Sequence, residues 1–105
     1  MLDPEVQRLL NEKGSIIRDK LRPEEIVLFG SRAQGTARPD SDIDLIITSS
    51  VFQNIPLVNR MGYFLNTVKF TKHIDAICLT PKELEIRKQS PLFLELYRSG
   101  VPVTP

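Results

Sequence analysis

Three short apolar runs along the chain have the length and residue types of β-strands. They cover residues 26–29, 43–47 and 74–79 and are rich in β-branched and other large apolar side chains. Runs that are apolar almost throughout are typical of strands with both faces covered. The pattern therefore predicts three core strands, with Asp44 and Asp75 as acidic exceptions within two of them.

Around these runs, apolar residues recur at the three- and four-residue spacing of amphipathic helices. The first helix is expected to be capped by Asp3 and to end at Arg22 and Pro23. Later helices are expected to begin near Pro56, in the capping box of Thr80 and Glu83, and at Pro91. Their apolar stripes are expected at Val6, Leu9, Leu10, Ile17 and Leu21, then at Leu57, Val58, Met61, Phe64, Leu65 and Val68, and finally at Leu92, Phe93, Leu96 and Tyr97.

A helix between the second and third strands makes a crossover connection, which favours parallel pairing. The order of elements predicts an α/β (α+β) fold, a small sheet flanked by helices, with residues 1–105 as one domain. Residues 49–55 show no period, and residues 101–105 contain two prolines and are expected to be irregular. Gly14 is expected to let the first helix bend or fray.

The connection between the first two strands carries the clearest chemistry. Gly30 and Ser31 follow the first strand, where a sharp turn can direct a hydroxyl and backbone amides at phosphate oxygens. Because side chains alternate along a strand, Asp42 and Asp44 should share a face, with Cα atoms roughly 6 to 7 Å apart. Such a pair is costly unless water, a basic group or a cation neutralises it, and carboxylate oxygens suit Mg²⁺.

The loop after Ser31 is rich in turn-forming residues. Residues 31–34 are expected to form a short helical turn, and residues 35–41 a mobile loop. Arg32, next to the Gly-Ser pair, is a candidate phosphate ligand, with simple solvation as an equally open alternative. Arg38 is expected to be solvated.

Composition limits the function further. The 105 residues carry a formal net charge of +1 with acids and bases interspersed, so no broad basic surface for nucleic acid is predicted. The single cysteine, Cys78, lies within an apolar run and is expected to be a buried small hydrophobe. His73 is expected to be a solvated residue at a strand entry. With neither a signal peptide nor a membrane-length apolar run in the sequence, a soluble cytoplasmic protein is expected.

The motif GSRAQG, followed by SDIDL, resembles the signature of the minimal nucleotidyltransferases, an antitoxin-type family of the DNA polymerase β superfamily. The resemblance implies a polymerase β-like nucleotidyltransferase fold with a mixed sheet, and a third acid for which Asp75 is the matching position. It implies that Asp42, Asp44 and Asp75 are catalytic and hold two Mg²⁺ ions, and that Gly30, Ser31 and Arg32 bind the nucleotide. Gln34 stands where an arginine is common in the family.

The resemblance also implies an activity: Mg²⁺-dependent transfer of a nucleoside monophosphate, AMP from ATP, to a hydroxyl acceptor. Minimal nucleotidyltransferases often pair with a helical HEPN-type toxin, and some transfer AMP to a tyrosine of that partner. The alternative is a noncatalytic binding module that neutralises a partner by contact. A nucleic-acid-tailing enzyme fits less well because the usual additional domain and basic channel are absent from this sequence. The nucleotide, the acceptor, the strand order and the oligomeric state remain open at this point.

Overall fold

The computed structural model describes residues 2–105, in which four strands form one mixed sheet. The strands are β1 (Glu25–Phe29), β2 (Ile43–Thr48), β3 (Ile74–Leu79) and β4 (Val101–Val103), in the order β3-β2-β1-β4. β1 pairs antiparallel with β2 and with β4, whereas β2 and β3 run parallel. The predicted α/β class and the parallel pair made by the crossover are confirmed.

Five α-helices connect and cover these strands. They are α1 (Pro4–Ile16), which continues as a π-helical turn (Ile17–Leu21), α2 (Ser31–Gln34), α3 (Leu57–Val68), α4 (Pro81–Arg87) and α5 (Pro91–Ser99). Asp3 caps α1 by accepting hydrogen bonds from the amides of Glu5 and Val6, at 2.9 and 3.2 Å. The predicted capping box of Thr80 and Glu83 is present at α4. No helix among residues 2–105 combines the length and apolar character needed to cross a membrane.

The two faces of the sheet are covered by different helices. Ile43, Leu45 and Ile47 of β2 pack on one face with apolar side chains of α1 and α3. Ile46 packs on the other face with Leu84 of α4 and Phe93 of α5. This alternation within β2 explains why its sequence is almost continuously apolar, and it places Asp44 on the same face as Ile46.

The end of the chain differs from the prediction. Residues 101–103 form strand β4 rather than irregular structure, since the backbone groups along the outer edge of β1 are available for pairing. Pro102 is tolerated because β4 is an edge strand. Gly100 allows the close approach, as a Cβ atom there would lie 2.8 Å from the carbonyl oxygen of Leu28. Residues 50–54, for which no period was found, form a 3₁₀ turn.

The apolar stripe of α3 was predicted only in part. Leu57 and Val58 are 62% and 91% exposed, and Leu92 at the start of α5 is 86% exposed. The buried side of α3 instead begins with Arg60, four residues before Phe64, and the arginine is only 5% exposed. Its guanidinium donates hydrogen bonds to the carbonyl oxygens of Ile55 and Cys78, at 2.8 and 3.2 Å, and pairs with Glu83.

Arg60 is compatible with the core because acceptors surround it. A buried guanidinium is costly unless it is paired and hydrogen-bonded. Glu83 also caps α4 by accepting the backbone amide of Thr80 at 2.8 Å, so one carboxylate joins α3 to the start of α4. Cys78 is buried beside this pair, which confirms the prediction of a buried small hydrophobe, and its burial raises the pKa of the thiol to about 12.

Candidate active site

The strand register brings two of the predicted acids together. Phe29 of β1 pairs with Asp44 of β2, and Asp44 pairs with Asp75 of β3. Since directly paired residues share a face of the sheet, these three side chains form one row across three strands. Phe29 packs against the apolar cluster that α4 and α5 form on this face, whereas Asp44 is half-buried and Asp75 is exposed. The sheet therefore presents two adjacent carboxylates at its open end.

The turn between β1 and α2 lies directly against Asp44. Gly30 has φ 74° and ψ −158°, a conformation that residues with a side chain rarely adopt. A Cβ atom at this position would collide with Oδ2 of Asp44 and lie 3.2 Å from its Cγ. The glycine thus serves both the predicted sharp turn and the close packing of the turn against the carboxylate.

The carboxylates of the site are not neutralised by a basic side chain among the described residues. Burial, together with the negative charges of Asp75 and Asp42, raises the pKa of the Asp44 carboxyl. Within residues 2–105 none of these three acids forms a salt bridge. Clustered carboxylates without a basic partner are a suitable donor set for a hard divalent cation.

Asp42 stands apart from the pair. It precedes β2 and is exposed, and its charge is close enough to affect the ionisation of Asp44. In the described part of the chain, however, no three His, Cys, Asp or Glu side chains gather as a ready-made metal site. His73 is exposed, as expected, and its backbone carbonyl accepts a hydrogen bond from the amide of Ile43 at 3.1 Å.

Arg32 occupies a different environment from the two that the sequence left open, phosphate binding and solvation. It is 7% exposed, and its Nη1 donates to both carboxylate oxygens of Asp3 at 3.1 Å. Its Nε and Nη2 donate to the carbonyl oxygen of Ser41 at 3.0 and 2.8 Å. Protein acceptors thus engage Nε and both terminal nitrogens of Arg32, and its contact with phosphate stays a prediction. Local sequence patterns do not indicate this pairing, since Asp3 lies 29 residues away.

The loop before Asp42 is also more tightly held than predicted. A turn closes between Arg38 and Ser41, in which the amide of Ser41 donates to the carbonyl oxygen of Arg38 at 3.0 Å. The amide of Arg38 donates in return to Oγ of Ser41 at 2.9 Å. The ammonium of Lys72 donates a further hydrogen bond to the carbonyl oxygen of Pro39. The side chain of Arg38 is exposed, as expected.

The acids lie on an open surface rather than in a deep pocket. A cavity of about 700 Å³ lies between α1, α2 and β4 and is lined by Leu10, Leu28 and Val101 among others. Because Leu28 belongs to the core beneath α1, this cavity is on the face of the sheet opposite the acids. Small-molecule sites usually bury most of their ligand, and this site would leave much of a nucleotide uncovered.

Most of the chain matches a known protein family. Residues 10–97 match the family described as "Nucleotidyltransferase domain". A "Putative protein adenylyltransferase" of Methanocaldococcus jannaschii is 37% identical over 43 residues, which are 41% of this chain and 43% of that protein. The matched stretch is thus less than half of the relative's length.

Two solved structures share the fold. A crystal structure titled as a "putative nucleotidyltransferase" from Sulfolobus solfataricus has a TM-score of 0.57 and 23% identity, and the alignment covers 91% of this chain and 79% of the other. BolA1 from Arabidopsis thaliana has a TM-score of 0.55 and 19% identity, covering 71% of this chain and 94% of its own. At these identities the likeness concerns the fold, and a function has to be argued from the site.

Proposed function

The chain belongs to the nucleotidyltransferase domain family, and from that premise we propose that it transfers AMP from ATP to a hydroxyl group of a partner protein. The observation that carries the proposal is the pair of carboxylates, Asp44 and Asp75, set side by side on neighbouring strands against the turn at Gly30. The partial match to a protein described as an adenylyltransferase supports AMP as the group and protein as the acceptor.

The carboxylates are proposed to hold Mg²⁺. Asp44 and Asp75 would ligate it from adjacent strands, and Asp42 would contribute from the segment that leads into β2. Bound Mg²⁺ neutralises phosphate charge and, where two ions are present, also favours the attacking alkoxide. Its positive charge would counteract the burial and the repulsion from Asp75 and Asp42 that together raise the pKa of the Asp44 carboxyl.

The residues of the chain would then act mainly by positioning. The backbone at Gly30 and the hydroxyl of Ser31 would hold the β- and γ-phosphates beside Asp44. The acceptor oxygen would attack the α-phosphorus in line and form a new P–O bond, and the bond to the bridging oxygen would break to release pyrophosphate. Asp75, the exposed member of the pair, would take the proton of the acceptor hydroxyl.

The acceptor is proposed to come from a helical protein of the HEPN type, through a tyrosine hydroxyl. The open position of the acids supports a partner that covers the nucleotide, because Asp75 is exposed and Asp44 is only half-buried. Such a partner would supply both the acceptor and the missing wall of the site. The pair would act as an antitoxin with its toxin.

Mass spectrometry of the protein co-expressed with the product of the adjacent gene tests the proposal. We expect an AMP-sized mass increase on a tyrosine of the partner that is lost with Asp75→Asn. Asp19→Asn is the matched control, since Asp19 is an exposed acid in the π-helical turn that ends α1. An unmodified partner that remains tightly bound, and stays inhibited when Asp75 is changed, would instead favour the noncatalytic binding module.

Nucleotide binding can be tested without a partner. ATP with millimolar Mg²⁺ should raise the melting temperature of the isolated chain, because a ligand that binds only the folded state stabilises it. Asp44→Asn should remove that shift, and Asp19→Asn should retain it. Equal shifts in both variants would show that ATP binds elsewhere on the chain.

A further inference from the structure

Arg32 joins three segments that are far apart in the sequence. It belongs to α2, the helix that begins at Ser31, and its guanidinium reaches Asp3 at the start of α1. It also reaches the turn before Asp42, where Nη2 donates to the carbonyl oxygens of Arg38 and Ser41 at 3.2 and 2.8 Å. One side chain thus ties the phosphate-binding turn proposed above to the segment that carries the acids.

The surroundings of Arg32 argue against a direct phosphate contact. The side chains of Arg32 and Asp3 are 5% and 12% exposed, so the ion pair between them is almost completely buried. Turning the guanidinium toward a nucleotide would leave the carboxylate of Asp3 buried without its partner, which is strongly unfavourable. It would also release the carbonyl oxygen of Ser41, which accepts two of its hydrogen bonds.

The short helix α2 contacts the acid-bearing segment at two points. At the start of α2, Gly30 packs against Asp44. From within α2, Arg32 holds the carbonyl oxygen of Ser41, the residue immediately before Asp42. The planar guanidinium suits this task because it can donate several hydrogen bonds in fixed directions at once.

We propose that Arg32 is a positioning residue that holds the turn at residues 38–41 against α2 and thereby sets the placement of Asp42 and Asp44 relative to Gly30 and Ser31. The inference rests on the proposed function and deepens it by replacing a nucleotide contact with a supporting one. Asp3 acts in the same unit, since it fixes the guanidinium from the side of α1.

Two substitutions separate positioning from phosphate binding. Arg32→Lys keeps a positive charge that could still bind phosphate, but a single ammonium cannot serve Asp3 and the carbonyl oxygens of the turn together. Asp3→Asn keeps a side-chain oxygen that can cap α1 and removes the charge that orients Arg32. Arg38→Lys is the matched control, because Arg38 lies in the same turn with an exposed side chain.

The measurements are amide hydrogen exchange of the nucleotide-free protein and titration with ATP in the presence of Mg²⁺. In Arg32→Lys we expect the amide of Ser41 to exchange about tenfold faster and ATP to bind about tenfold more weakly, as local opening of a turn would cause. Asp3→Asn should shift both quantities in the same direction, and Arg38→Lys neither. The amide of Ile46, in the core, should be unchanged in every variant and thereby report intact folding.

Two results would overturn the proposal. One is wild-type ATP affinity in Arg32→Lys, which is what a direct phosphate contact predicts. The other is an unchanged Ser41 amide in both Arg32→Lys and Asp3→Asn, which would show that these side chains do not hold the turn. If the wild-type chain binds no ATP, the proposed function fails, and the exchange of Ser41 still decides whether Arg32 orders the segment before Asp42.

Discussion

Replacing Gly30 with alanine is expected to destabilise the protein more than replacing Gly35 with alanine, although both glycines have positive φ angles and flank the same short helix. The φ angles are 74° and 78°. At Gly35 a new Cβ atom would meet nothing within 4 Å, whereas at Gly30 it would collide with Oδ2 of Asp44. The comparison therefore isolates the contact between the turn and the carboxylate.

The expected magnitudes follow from these geometries. At Gly35 the left-handed conformation alone should cost an alanine about 1 to 2 kcal/mol. At Gly30 the backbone conformation, which is more restricted to glycine, should cost about 1 to 3 kcal/mol. The forced movement of Asp44 should add about 1 to 3 kcal/mol, as overpacking of a closely packed site does.

A double-mutant cycle with Asp44→Ala separates the two contributions at Gly30. The substitution removes Oδ2 and Cγ and leaves the Cβ of residue 44, which would lie 3.4 Å from the new methyl group, an ordinary contact. Gly30→Ala should then cost at least about 1 kcal/mol less in the Asp44→Ala background than in the wild type. The like-charge repulsion that Asp44→Ala also relieves cancels in the cycle.

Urea unfolding followed by circular dichroism would give the four free energies of unfolding, provided that the denaturant slope is unchanged among the variants. The reasoning is refuted if Gly30→Ala costs the same in both backgrounds. It is also refuted if Gly30→Ala is no more destabilising than Gly35→Ala. Either result would mean that the turn and the carboxylate are not packed as described.

Three further results are expected. The Arg60 side chain, hydrogen-bonded to Glu83, holds the pKa of that carboxyl at about 2, so the pair should stabilise the fold above the unfolded-state pKa of 4.5 and lose this effect as pH falls toward 2. Glu83→Gln should therefore flatten the decline of the melting temperature in acid, and an unaltered decline would contradict the assignment. Thr48→Val should raise the free energy of unfolding in urea by about 1 kcal/mol, because Oγ1 of this buried residue has no hydrogen-bond partner in the described structure; a loss of stability would show that the hydroxyl is bonded. Asp44→Asn should maintain or raise the melting temperature without ligand, since it removes one of several like charges; a fall of several degrees in calorimetry would show that the acid supports the fold.

Much of the fold could be predicted because the signals are local. Almost continuous apolar runs rich in β-branched residues marked the first three strands, and the caps at Asp3 and Thr80 lie within three residues of the amides that they bind. Asp44 and Asp75 could also be recognised from their immediate neighbours, because an acid within a continuous apolar run is unusual. Their placement side by side required the parallel register of β2 and β3, which the crossover helix suggested without fixing it.

Tertiary structure alone decided the roles of the two buried arginines. Arg32 and Arg60 have the sequence context of exposed helical residues, and burial of either would be prohibitive without acceptors. Those acceptors, Asp3 for Arg32 and Glu83 for Arg60, lie 29 and 23 residues away, and folding brings them into contact. Neither pairing could be inferred from local patterns, because nothing in the sequence specifies which distant carboxylate will face which guanidinium.

The first three strands, the caps and the chemical character of the candidate site could be predicted from the sequence, since each depends on neighbours within one element or one turn. The tertiary structure decided that the tail joins the sheet beside β1, that Leu57 and Val58 remain exposed, and that Arg32 supports the site from behind. The pairing of the tail and the role of Arg32 depend on backbone groups and a buried charge whose partners are distant in the chain and close in space. The exposure of Leu57 and Val58 depends likewise on which side of α3 packs on the core, where Phe64 and Val68 lie.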